Sequence, residues 1–380
     1  MSTPLTCAFV LGTRPEAIKL APVWLAMRAQ PAVFRPLLWV TGQHRALLDQ
    51  VLDVFGMVPD ADFALMQPNQ SQSGLVGRIL LALDPLIADQ KPDWILVQGD
   101  TSSALAGALA AFYAGVKVAH IEAGLRTYDL TAPFPEEGNR QIISRIAHLH
   151  CAPTHHATKQ LQQEHVPSAH ILQTGNTVVD AIQWVVNRHA VMPSALKPWC
   201  TADMKANAPW VLTTLHRRES FGEPLKGMLL AILALANDDT LNLHFVFPVH
   251  PNPNVHALVH QILGGHPRII LLPPLGYIEL ATVLAQSWLV LTDSGGLQEE
   301  APSLRKPVLV LRDTTERPEG LETGAALLVG TDPQHIIDQV KALVLDGARY
   351  QKMVEAENPY GNGMAATAIL KAILTVDRAH

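Results

Sequence analysis

The chain reads as an α/β protein of two doubly wound, Rossmann-like domains facing each other across a cleft. Three observations predict this. Short apolar runs alternate with helical patterns over almost the whole chain, the scheme occurs twice, and polar, glycine-containing strings recur where the apolar runs stop. At 380 residues the chain also exceeds what one hydrophobic core usually serves.

In the first half, Cys7–Leu11, Leu37–Val40, Trp94–Val97, Val116–Ile121 and His148–Ala152 read as strands. Amphipathic stretches lie between them. In Gln43–Phe55, Leu47, Leu48, Val51, Leu52 and Phe55 fall on one face at helical spacing. The second half repeats the pattern with Trp210–Leu215, Phe245–Val249, Ile269–Leu272, Leu289–Leu291, Val308–Leu311 and Ala326–Val329. Strands alternating with helices imply parallel βαβ units covered on both faces. Arg188–Pro209, with three prolines and little periodicity, reads as a linker region, and Met364–Val376 as a last helix. The expected division is 1–175, with 364–380 crossing back to it, and 176–363.

Nearly half the residues (48%) are apolar and 16% are charged, a globular composition. A net charge of −6 disfavours nucleic acid as a partner but not a small anion. Cys7, Cys151 and Cys200 are odd in number and widely spaced, which suits a reducing cytoplasm. No run approaches the ~20 apolar residues that span a bilayer, so no membrane association is expected.

In open α/β sheets, ligands bind at the carboxyl ends of the strands. Asp293-Ser294-Gly295-Gly296 lies at such an end and opens a helix. Its backbone N–H groups and dipole suit a phosphate, with Ser294 adding a hydroxyl. An ordinary capped helix start, with Ser294 as N-cap, is the alternative. Glu300 falls in the second turn, within reach of ribose hydroxyls. Arg14 and Lys19 after the first strand, and Arg312 and Arg317 after a later one, can neutralise a diphosphate. Asp100, Glu122 and the Glu136-Glu137 pair form an acidic group suited to proton transfer at carbon or, alternatively, to Mg²⁺. His216 is the best placed of the 17 histidines. His256 and His260 stand at i,i+4 without an evident third ligand, so no metal site is expected.

Ordered strings carry a resemblance over nearly the full chain: GTRPEAIKLAP (12–22), TGQHR (41–45), VQGDT (97–101), HIEAGLRTYDLTAPFPEEGNR (120–140), TGNTVVD (174–180), HRRES (216–220), PVHPNP (248–253), LTDSGGLQEEAPSLRKP (291–307), RDTTERPE (312–319) and NPYGNG (358–363). On these the chain resembles the non-hydrolysing UDP-N-acetylglucosamine 2-epimerases. The resemblance implies a GT-B arrangement and an isomerase interconverting UDP-N-acetylglucosamine and UDP-N-acetylmannosamine. UDP leaves to give a 2-acetamidoglucal and then re-adds, with neither NAD nor a metal required. It further implies Asp100, Glu122 and Glu136 as acid/base carboxylates with His216 in support. Ser294, Gly295 and Gly296 would hold phosphate, Glu300 the ribose, and Arg14, Lys19 and Arg317 would supply positive charge. A homodimer feeding cell-surface polysaccharide synthesis is the family expectation.

Two departures stand out. In the loop expected to face uracil, near Leu275 and Leu280, the usual Asp and Phe are Gly276 and Leu280. Some relatives bind activating substrate beside Gln43, His44 and a basic residue near position 69, where this chain has Asn69. A related UDP-2-acetamido sugar, such as a uronic acid derivative, is an alternative substrate. A GT-B glycosyltransferase and a non-catalytic nucleotide-sugar sensor are the rival functions.

Overall fold

The computed structural model describes residues 3–42, 45–66, 70–189, 191–200 and 209–378, without the side chains of 45, 46, 199, 200 and 378. Two compact units emerge, 1–181 with 360–380 and 182–359. Gln43, His44 and Asn69 lie outside the described residues.

The first unit runs β1 (Leu5–Leu11), α1 (Arg14–Arg28), β2 (Phe34–Val40), α2 (Arg45–Phe55), β3 (Ala61–Asp62), α3 (Gln72–Gln90), β4 (Trp94–Gln98) and α4 (Ser102–Tyr113). It continues with β5 (Lys117–Ile121), α5 (Glu136–Ile146), β6 (Leu149–Ala152), α6 (His155–Gln163), β7 (Ile171–Gln173) and α7 (Thr177–Arg188), within which the chain passes to the second unit. The strands form one parallel sheet in the order β3-β2-β1-β4-β5-β6-β7. β4 is buried at every position, as continuous apolar runs between two helical layers require. Small residues let α4 lie close on the sheet: a Cβ at Gly107 would stand 3.0 Å from Val10 and Val97 side-chain atoms. On α2, Leu48, Val51, Leu52 and Phe55 are buried, but Leu47 is half exposed and leaves the apolar face that the sequence assigns to it.

The second unit runs β8 (Trp210–Thr214), α8 (Glu223–Asn237), β9 (His244–Pro248), α9 (Pro253–Leu263), β10 (Ile269–Leu272), α10 (Tyr277–Gln286) and β11 (Leu289–Thr292). It continues with α11 (Gly295–Ser303), β12 (Val308–Val310), α12 (Pro318–Glu322), β13 (Ala326–Leu328), α13 (Pro333–Leu345) and α14 (Gly347–Val354). Its parallel sheet has the order β10-β9-β8-β11-β12-β13, the Rossmann order. The stretch that reads as a linker is partly core: Leu196 is fully buried and packs with Trp210, Leu212 and Val246. The last helix, α15 (Ala365–Arg378), belongs to the first unit, packs on α1, and has its N-terminal amides Ala365 and Ala366 capped by Asp180. The short strand β7, three residues of weak pattern, is concealed from sequence reading. No helix among the described residues is long and apolar enough to cross a membrane.

Two histidines face each other in register on β5 and β6, His120 and His150, both buried. Burial pushes His120 down to about 4 and His150 down to about 3, from an ordinary 6.5. Both rings are therefore neutral in the folded protein. The unfolded chain takes up protons near pH 6.5, so this stability is full above that pH and lost as pH falls towards 4. Urea unfolding should show the loss between pH 6.5 and 4, on the order of 3 kcal/mol for His120. His120→Gln should flatten the slope, and a slope unchanged by it would show that His120 is not its source.

Candidate active site

Each sheet reverses its winding at one point, between β1 and β4 in the first unit and between β8 and β11 in the second. The polar strings collect there, at the strands' carboxyl ends.

In the first unit, Glu16 on α1 ties the two turns of the switch point together. One carboxylate oxygen accepts from Gly12 N (3.0 Å), Thr13 N (2.8 Å) and Thr13 Oγ1 (2.7 Å), and the other from Thr101 Oγ1 (2.7 Å). Thr101 Oγ1 in turn accepts from Ala104 N and caps α4. Burial pushes the Glu16 carboxyl up; the bonds from Thr101, Thr13 and Gly12 oppose that without reversing it.

Glu122 ends β5 with φ +61, in the left-handed region, and is buried. Lys19 Nζ lies 2.5 Å from its Oε1, and Asn176 Nδ2 donates to the same oxygen at 3.0 Å. Gln98 Nε2 donates to Oε2. Asp100 follows the Gly99 turn, whose carbonyl accepts from His120 Nε2 (2.7 Å). The Asp100 carboxylate pairs with Arg140, and its carbonyl accepts from Asn139 Nδ2 (2.8 Å), so α5 is docked on this turn. A Cβ at Gly99 would stand 3.8 Å from Glu122 Oε2, which puts the two carboxylates beside one turn. Glu137, one residue into α5, is wholly engaged: Thr127 N (3.0 Å), Tyr128 N (3.1 Å) and Gln141 Nε2 (2.7 Å) donate to it. Burial pushes the Glu137 carboxyl up, but these donors and Arg140 outweigh it and hold it below the usual range. Glu136 is partly buried, and its side chain makes no hydrogen bond or ion pair with another described residue. The loosely held Glu136 thus stands beside the firmly held Glu137 on a helix that Arg140 and Asn139 dock on the Asp100 turn. That combination suits transfer of protons to and from a bound carbon acid.

In the second unit, Asp293 is fully buried and organises the turn after β8. Its Oδ2 accepts from His216 N and Arg217 N, both at 2.8 Å, and its Oδ1 lies 2.8 Å from His216 Nδ1. Burial pushes the Asp293 carboxyl up, yet His216 and the two amides hold it below its ordinary value. The pairing leaves His216 Nε2 on the outer edge of the ring, which stacks on His250 at 5.7 Å. Ser294 has the extended backbone of an N-cap, but its hydroxyl makes no capping bond to α11. The first-turn amides of α11 are thus not spent on the Ser294 oxygen. Measured from a Cβ built at Gly295, Arg217 Nη2 stands 3.6 Å away and Arg317 Nη2 4.0 Å. Two guanidinium groups over a glycine helix start make a site for a doubly charged oxyanion. Arg317 is oriented by Glu299, and Arg217 Nε is buried without a partner among the described residues.

The sequence pattern of the family described as UDP-N-acetylglucosamine 2-epimerase matches residues 26–374. The UDP-N-acetylglucosamine 2-epimerases of Escherichia coli (strain K12) and Salmonella typhimurium are 47% and 46% identical to the chain over 371 and 370 residues, in each case 96% of this chain and 97% of the relative. The chain belongs to the UDP-N-acetylglucosamine 2-epimerase family. The crystal structure of UDP-GlcNAc 2-epimerase from Neisseria meningitidis bound to UDP-GlcNAc is 41% identical, covers 98% of this chain and all of that one, and superposes with a TM-score of 0.84. The activity is that of a non-hydrolysing epimerase, an isomerase.

Within this epimerase the residues that the sequence singles out are not alike. Glu122 and Lys19 are brought together as an ion pair, so Lys19 serves the carboxylate rather than standing free beside Arg14. Arg14 opens α1, partly buried, its side chain without a bond to another described residue. Arg312 is not a free cation: it is buried between Glu219 (2.7 Å) and Glu316 (3.2 Å) and braces the loop before Arg317. Glu300 is buried in α11. Leu275 and Leu280 are half buried against the cluster containing Leu284 and Leu297, flanking Gly276, which caps α10 with Glu279. His256 and His260 pack ring on ring at 4.3 Å on an exposed helix face. Sequence reading misses Arg217, Asp293, Arg140, Gln98 and Asn176 as site residues. Each sits inside a string already noticed, but its partner is far away in sequence.

Removing the Glu16 carboxylate leaves three or more buried donors without an acceptor. Glu16→Ala should therefore lose roughly 2–4 kcal/mol of stability in urea unfolding, with Glu16→Gln intermediate. A loss for Glu16→Ala below about 1 kcal/mol would mean water replaces the carboxylate freely.

Proposed function

We propose that the chain inverts C2 of UDP-N-acetylglucosamine by eliminating UDP and adding it back. A carboxylate removes the C2 proton while the C1–O bond breaks and its electron pair leaves with UDP. The 2-acetamidoglucal that remains takes UDP at C1 again and a proton at C2 from the opposite face. The observation that carries this reading is the acid set of the first unit, in which Glu122 is fixed by three donors while Glu136 is left uncommitted. A nucleotide-binding protein that only holds its ligand does not require such a set.

Asp100, Glu122 and Glu136 are the acid/base groups in this proposal. Arg217 and Arg317 with Ser294, Gly295 and Gly296 hold the diphosphate and receive the charge that builds on it. His216, its Nδ1 committed to Asp293, presents Nε2 to the leaving phosphate. Glu300 takes the ribose hydroxyls, Arg14 adds positive charge, and Leu275 and Leu280 border the uracil. We further propose a cytoplasmic homodimer, supported by the family resemblance and by widely spaced cysteines, of which Cys7 and Cys151 are buried thiols.

Incubation with UDP-N-acetylglucosamine alone in D₂O tests the reaction. NMR should show a mixture of C2 epimers carrying deuterium at C2, without any acceptor. Product with its C2 hydrogen fully retained would sink the mechanism. Asp100→Asn, Glu122→Gln and Glu136→Gln should each leave UDP affinity nearly intact, and at least two should lower turnover about 10²–10⁴-fold.

The phosphate site makes a separate prediction. Arg217→Ala and Arg317→Ala should each weaken UDP binding by about 1.5–3 kcal/mol in calorimetry, the worth of a charge-assisted hydrogen bond. Arg312→Ala, which loses two internal ion pairs, should instead lower thermal stability. Equal UDP affinity in all three variants and the parent would remove the arginines from the site.

A further inference from the structure

Three donors hold Glu122, and they differ in origin. Lys19 comes from α1 and Gln98 from β4, elements of the sheet whose edge Glu122 occupies. Asn176 comes from the segment through which the chain is about to leave the first unit. Its own bonds fix it there. Asn176 Oδ1 accepts from Val178 N at 3.0 Å, so its amide nitrogen is the end that faces Glu122. Asn176 N donates to Tyr360 O at 2.7 Å, where the chain has just returned. The two backbones touch closely at glycines in the left-handed region, Gly175 (φ +83) and Gly361 (φ +104). A Cβ at Gly175 would stand 3.1 Å from Tyr360 O, and one at Gly361 3.1 Å from Gly175 Cα. Only glycine fits such an approach without strain.

We propose that Asn176 is a positioning residue for the epimerisation: held by the returning Tyr360-Gly361 segment, it orients the Glu122 carboxylate for its work at C2. This rests on the proposed role of Glu122. The Asn-Pro-Tyr-Gly-Asn-Gly string near the carboxyl terminus thereby becomes part of the acid/base machinery, nearly 240 residues from the carboxylate that it serves (358 against 122). The reason is electrostatic. A buried carboxylate is stabilised in its charged form by each donor aimed at it. Lys19 is the charged group facing Glu122, and Gln98 and Asn176 are the neutral ones. Asn176→Asp keeps the shape and turns the donor into a second acid beside Glu122.

The test measures kcat and KM against pH for Asn176→Asp, Asn176→Ser and Gly361→Ala, with Glu122→Gln alongside and thermal melting as a check on folding. Asn176→Asp should lower kcat about 10²-fold near neutral pH with KM changed less than about threefold, and the acid limb of its kcat profile should move to higher pH. Asn176→Ser, which keeps a donor but shortens it, should fall between this variant and the parent. Gly361→Ala, which alters no polar side chain, should displace Asn176 and shift the same acid limb by less. An Asn176→Asp enzyme with the parent's kcat and pH profile, while Glu122→Gln is inactive, overturns the positioning role alone. A fully active Glu122→Gln overturns the reading on which it rests. If Asn176→Asp does not fold, an acid limb unmoved in both Asn176→Ser and Gly361→Ala is the overturning result.

Discussion

A carboxylate taken out of water needs donors, and most of the architecture around this site can be traced to that need. Glu16, Glu122, Glu137, Asp293 and Glu299 are all buried, and each is surrounded by amides, hydroxyls or cations drawn from separate segments. An unpaired buried charge costs several kcal/mol, so each carboxylate dictates where the segments that serve it must lie. Glu16 locks the turns after β1 and β4 to each other. Asp293 folds the turn after β8 beside the start of α11. The loops that carry chemistry are thus fixed from beneath by anions that take no part in it.

The same rule separates holding from acting. Glu137 and Glu136 are neighbours of one residue type, yet Glu137 is saturated with four partners and Glu136 has none among the described residues. A saturated carboxylate is held as an anion and resists a proton. Glu122 lies between these states, firmly held but by a cation and two amides that reach it from three directions. Lys19, Arg312 and Arg317 show the converse for cations: each pairs with an internal carboxylate, although Arg317, like Arg217, keeps an Nη2 atom over the Gly295 turn. Counting basic residues near a nucleotide site therefore overstates the charge offered to a diphosphate.

The fold was legible because its strands are apolar runs covered on both faces, and runs such as Ile269–Leu272 coincide with the observed element. What escaped was short or paired over long distances. β3 and β7 are two and three residues long, too brief for any period to show. Leu47 fits a helical apolar stripe, but tertiary packing leaves it half exposed. At the site, motif position revealed Asp100, Glu122, His216 and the Ser294 turn. It did not reveal Arg140 against Asp100 or Asn176 against Glu122, whose separations are 40 and 54 residues. A motif marks where a side chain starts; the partner that sets its charge is a property of the folded chain.

That distinction bears on how the epimerase can hold opposed requirements in one place. Inversion at C2 requires proton removal on one face of a planar intermediate and delivery on the other, so at least two acid/base groups must differ in protonation at the same moment. Identical surroundings would give identical groups. Here Asp100 is set by a guanidinium, Glu122 by an ammonium and two amides, and Glu136 by nothing comparable among the described residues. Three carboxylates of two residue types are thereby given different partners. The sheet gathers the carboxylates, and the segments arriving from distant parts of the first unit tell them apart.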